Sequence, residues 1–128
     1  MKEIGLSQKQ LIEYVSGKRT IRNAKELSAV LILTEDLYYN FTSDEAMDVF
    51  ERYDNDELTV SQITWHILLL YSLAVKVFEK GEEPLSPAKR RLMEMFLDEN
   101  RDYYIDEPLP LEVIEEIRKL FKEEVAVC

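Results

Sequence analysis

The sequence predicts an all-α protein: a single-domain bundle of about six helices around a central apolar helix at residues 60–80. Three observations carry this expectation. Hydrophobic residues recur with a period near 3.6 along almost the whole chain. The breaks between these runs carry helix start and stop residues. Three Gly and four Pro in 128 residues are too few for a loop-rich sandwich. With 46% hydrophobic and 33% charged residues, a folded chain with a core of its own is expected.

The elements follow in order. Ser7, with Gln10 three residues on, opens a first helix carrying Leu11, Ile12 and Val15 and stopping at Gly17. A second begins after Asn23, with Glu26 at the capping-box position, and runs to about Asn40 on a face of Leu27, Val30, Leu31 and Leu37. Thr42 with Glu45 opens a third, in which Ala46, Val49, Phe50 and Tyr53 share a side; Asp54-Asn55-Asp56 ends it. Thr59 with Gln62 opens the fourth, which ends at Gly81. Ser86-Pro87 pairs a hydroxyl cap with a residue that has no N–H to leave unsatisfied, and Leu92, Met95 and Phe96 face inward from the helix it starts. Pro110 opens the last helix, striped by Val113, Ile114, Ile117, Leu120, Phe121 and Val125.

The fourth helix is apolar on nearly every face from Ile63 to Phe78, so other helices must enclose it. Where a bundle leaves one such face uncovered, the face becomes an association surface. Trp65, Leu69, Leu73 and Val77 are the interface candidates. The stretch Trp65 to Phe78 is broken by His66 and Lys76 and is shorter than the roughly 18–20 residues of a spanning helix, so no membrane partner is expected. The start MKEIGLSQKQ lacks the apolar run of a signal peptide, and the single Cys128 cannot form a disulfide within the chain. A reducing, cytoplasmic location is therefore expected.

Catalytic constellations are sparse. His66, the one imidazole, lies in the greasiest helix and reads as a core or interface histidine rather than a general base. Ile63 stands three residues before it, so the Glu-x-x-His pattern of helical metal sites is missing. Glu45/Asp48 and Glu112/Glu115 have helical i,i+3 spacing, which 26 acidic residues produce on solvated faces without any site. There is no Gly-rich phosphate loop. The chain is expected not to be an enzyme and to need no cofactor.

Asp98-Glu99-Asn100-Arg101-Asp102-Tyr103-Tyr104-Ile105-Asp106 resembles the first nine positions of an EF-hand loop. The resemblance implies calcium ligands at Asp98, Asn100, Asp102 and Asp106. Tyr103 stands where that loop takes Gly, and Leu109 where a bidentate Glu closes the cage. A helix-ending acidic turn is the competing reading.

Charge divides the chain into a basic helical hairpin segment, 1–25, and an acidic helical body, 26–128. Residues 1–25 hold six basic side chains against two acidic ones, a net +4; the rest hold ten against 24, a net −14. The overall −10 argues against coating nucleic acid with the whole surface. Leu6 to Val15 is similar to the first helix of a helix-turn-helix DNA-binding unit, and Lys18-Arg19-Thr20-Ile21-Arg22-Asn23 resembles the start of its recognition helix. That resemblance implies phosphate and base contacts from Lys18, Arg19, Thr20, Arg22 and Lys25. It requires Thr20, rather than Asn23, to cap the second helix.

The function expected from the residues alone is non-enzymatic protein–protein association, as a regulatory or adaptor subunit or a homo-oligomer. A DNA-binding regulator using the basic segment is the alternative, and a calcium module the weaker one.

Overall fold

Four short polar side chains set the helix starts that the sequence marks. Asn23 Oδ1 accepts the Glu26 N–H at 2.8 Å, and Ser86 Oγ accepts that of Lys89 at 3.3 Å. Thr42 and Thr59 form complete capping boxes: each hydroxyl accepts the N–H three residues on, at 3.1 Å, while Glu45 and Gln62 reach back to the threonine N–H groups at 2.8 and 2.9 Å. Each such cap stabilises its helix by about 1 kcal/mol.

The computed structural model describes residues 8–15, 18–34, 39–81, 86–96 and 107–127. The helices among them are α1 (Gln8–Val15), α2 (Ala24–Leu33), α3 (Ser43–Asp54), α4 (Val60–Lys80), α5 (Pro87–Met95) and α6 (Leu111–Val127). There is no strand among the described residues. Over the described residues the protein is all-helical, with six helices packed together and α4 as the apolar centre.

Packing follows from the burial of α4. His66 to Leu70 are five consecutive buried residues, whereas a helical turn holds about 3.6, so neighbours close round the helix at this level. Those neighbours are α1, α2, α3 and α5; α6 lies across α3 and α5. Ile63, Ile67, Leu68, Leu69, Leu70 and Leu73 have no exposed surface, each worth roughly 1.5–3 kcal/mol of burial. Phe41 and Phe121 (ring centroids 5.9 Å apart) join α6 to the approach to α3, and Tyr71 packs on Phe96 at 5.0 Å.

Three expectations are corrected. Helix α2 ends at Leu33, not near Asn40: Thr34 caps it, with an N–H shared between the Val30 and Leu31 carbonyls and a hydroxyl donating to Leu31 O at 2.6 Å. Leu37 lies outside the described residues. The central helix runs over residues 60–80 as expected, but the reading that its apolar stretch is too short to cross a membrane changes. Its 21 residues, with a mean hydropathy of 1.3 over 18 of them, are long and apolar enough to cross a bilayer, and 61% of that window is buried inside the chain's own fold. Leu69, Leu73 and Val77 are core residues covered by helices of this chain, and Trp65 is half-buried against the same core, so they form no outward apolar face. The helix emerges only near its end, where Phe78 is 57% exposed before Gly81 stops it at φ 69°.

Candidate functional site

Two constructions of polar groups stand out, and both join segments far apart in sequence. The first is on α4. His66 is 1% exposed, and each ring nitrogen meets a backbone group of the N-terminal segment. The Ile21 N–H points at Nε2 from 3.2 Å, and Nδ1 lies 2.9 Å from the Tyr14 carbonyl oxygen. These partners fix the tautomer: an N–H can only donate, so Nε2 is the bare nitrogen, and Nδ1–H donates to the carbonyl. Burial pushes the ring's pKa down to about 4, against the opposing pull of the Tyr14 bond and of the Glu26 carboxylate.

Glu26, on the first turn of α2, ties the same region together. It accepts the Tyr14 hydroxyl proton, the Arg22 N–H at 2.9 Å and the Arg22 Nε–H at 3.2 Å. Burial pushes its carboxyl pKa up; the hydrogen bonds from Tyr14 and Arg22 outweigh this and leave it below the ordinary value. Burial and the adjoining carboxylate raise the Tyr14 phenol to about 12.

The helix-turn-helix residues surround this knot. Asn23 caps α2, so Lys18, Arg19, Thr20 and Arg22 precede the helix rather than forming its first turn; only Lys25 lies on it. Residues 16–23 separate Val15 from Ala24, where a helix-turn-helix uses a turn of 3–4 residues. Arg19 pairs with Glu13 at 2.9 Å and stacks over Tyr14, and Arg22 pairs with Glu26. Lys18 and Lys25 are exposed and Thr20 is half-buried.

The second construction is a groove of about 650 Å³ where the starts of α3 and α5 meet the end of α6. Pro87, Ala88, Leu120 and Val125 give it an apolar lining, and Asp44, Glu123 and Glu124 an acidic rim. One carboxylate bridges the two helix starts: Glu124 accepts Ser43 Oγ–H at 2.6 Å and the Ala88 N–H at 2.7 Å. Helix α5 has no acidic residue in its first turn, and Lys89 there runs against the helix dipole. Glu124 supplies the missing negative charge from another helix. Lys89 itself is 6% exposed; its Nζ donates to Asn40 Oδ1 and the Phe41 carbonyl and sits 4.4 Å from the Phe41 ring centroid.

Sequence reasoning missed Tyr14, Lys89 and Glu124, and saw in Glu26 only a capping-box residue. A lysine at the third position of a helix start was the one visible signal, since a cation there needs compensation from elsewhere. The calcium candidates Asp98, Asn100, Asp102 and Asp106, and Cys128, lie outside the described residues. Glu45 is committed to its cap and to Tyr39, and Glu115 to Arg118. No group of three His, Cys, Asp or Glu that could hold a metal occurs among the described residues.

The fold and these two constructions define an all-helical protein with an acid-rimmed groove at the α3–α5–α6 corner and a basic N-terminal layer laid on α4. No family model, no curated protein and no solved structure matches the chain.

Proposed function

We propose that the protein is a non-enzymatic helical module that works by association, with a second copy of the chain as its partner. The observation that carries this is the groove at the α3–α5–α6 corner. Its lining of Pro87, Ala88, Leu120 and Val125 suits an apolar side chain, and its rim of Asp44 and Glu123 suits a cation beside it. The chain holds a segment of complementary charge in its own basic quarter, net +4, where Lys18 and Lys25 are exposed. Such a contact joins two different surfaces, so two copies can exchange it reciprocally in a closed dimer, or pass it head-to-tail into a ring or an open string. Complementary charge of this kind steers encounter and weakens with salt.

Light scattering from low to high micromolar, at low and high salt, tests the reading. The expected mass exceeds 15.1 kDa at low salt and falls towards it as salt is added. Val125→Arg in the groove and Lys18→Glu with Lys25→Glu in the basic segment each return the monomer. A mass of 15.1 kDa under all conditions overturns the proposal. A mass that rises only when duplex DNA is added replaces it with the nucleic-acid reading.

A further inference from the structure

We propose that His66 is a proton-sensitive latch: its neutral ring ties the end of α1 and the approach to α2 onto α4, and a proton arriving at Nε2 breaks the Ile21 bond and loosens this N-terminal layer. The argument is geometric. Nε2 accepts from the Ile21 N–H, and a protonated Nε2–H would face that N–H donor to donor. The ring cannot turn away to keep both bonds, because Nδ1 is held by the Tyr14 carbonyl. The ring is 1% exposed, so an imidazolium there forfeits the hydration it would have in solvent. Relief comes from moving the partner. Tyr14 and Ile21 flank the junction between α1 and α2, so a break there acts on both helices at once.

The surroundings do not offer the proton another home. Glu26 on α2 is the charged group acting on the ring, and its carboxylate is already engaged by the Tyr14 hydroxyl and by Arg22. Arg19 and Arg22, on the segment before α2, are cations and pair with Glu13 and Glu26. Helix α4 carries its own charges only at Lys76, Glu79 and Lys80, well over two turns from His66. No group on α3 or α5, the other helices packed on α4, acts on the ring. Because the Glu26 pKa lies below the usual carboxylate value, that group stays ionised over most of the range in which the latch responds.

Hydrogen exchange is followed by NMR at high salt, where the charge-steered contact between copies is weakened, so that the readout lies within one chain and is separate from association. Protection, corrected for intrinsic chemistry, is compared between pH 7 and pH 4.5. The expected result is a selective loss of protection at Leu27 and Val30 of α2, with Ile117 of α6 unchanged. With the ring held near 4 against 6.5 when released, the opened population rises by up to about 300-fold over the full range. His66→Gln, which donates and accepts without titrating, keeps protection independent of pH in this range. His66 is the one histidine, so its ring resonance is unambiguous and must share its midpoint with the Ile21 amide shift in the unmodified protein. That second measurement decides the matter even where the variant fails to fold. Equal loss of protection in all helices, no loss, an unchanged profile in His66→Gln, or two different midpoints overturns the latch.

Discussion

His66 Nδ1 lies 2.9 Å from the carbonyl oxygen of Tyr14, 52 positions earlier in the chain. That bond, with the Ile21 N–H on the opposite ring nitrogen, makes a buried imidazole the joint between the N-terminal layer and the central helix. It also sets the sign of one pH dependence.

Above about pH 6.5 the ring is neutral in both folded and unfolded chains, and its contribution to stability is complete. As pH falls towards 4 the unfolded chain takes the proton and the folded chain resists it. Stability then drops by up to about 3 kcal/mol, and the loss from this group levels off below the folded value. Urea unfolding at half-unit steps of pH checks this. His66→Leu should flatten the dependence in that range and cost about 2–4 kcal/mol at pH 7, because it leaves the Ile21 N–H and Tyr14 carbonyl buried without partners.

Glu124→Ala removes the acceptor that both Ser43 and Ala88 use. The expected loss is about 2–3 kcal/mol at neutral pH, since bonds to a charged group contribute about 1.5–3 kcal/mol each and water replaces part of them. Exchange protection in the first turn of α5 should fall most. A cost below about 0.5 kcal/mol in chemical denaturation would contradict the bridge.

Leu69→Ala opens a cavity in an enclosed stretch of α4 and should cost about 3–5 kcal/mol. Phe78→Ala, on the same helix but 57% exposed, should change stability by less than about 1 kcal/mol. Thermal unfolding of the two variants side by side tests the burial pattern of the helix.

Gly81→Ala should destabilise by about 1 kcal/mol. No atom lies within 4 Å of the added methyl, so crowding plays no part and the cost comes from holding Ala at φ 69°. Gly81→Asn, which tolerates that backbone, should cost less.

The helices were legible where their determinants are local. Thr42 with Glu45 and Thr59 with Gln62 lie three residues apart, so the sequence alone contains both partners of each box. The end of α2 was misread because Leu37 continues the apolar spacing past Thr34, and a hydroxyl bonding its own helix leaves little trace in a hydrophobic pattern. Leu69, Leu73 and Val77 were legible as buried but not by what: apolar spacing cannot tell a helix of the same chain from one of another. Asn23 and Thr20 offered two caps for α2, and the structure uses Asn23, whose side chain takes the Glu26 N–H while the Glu26 carboxylate turns to Tyr14 and Arg22. The bonds from Tyr14 and Ile21 to His66, and from Ser43 and Ala88 to Glu124, span 36 to 81 positions and follow no spacing rule.

The reach of Glu124 back to Ser43 and Ala88 has a consequence for biosynthesis. A ribosome releases α3 and α5 long before it releases the carboxylate that closes the corner between them, and Phe121, which packs on Phe41, emerges almost as late. Nascent chains stalled short of residue 121 would display that corner unfinished, so it closes only once α6 has emerged.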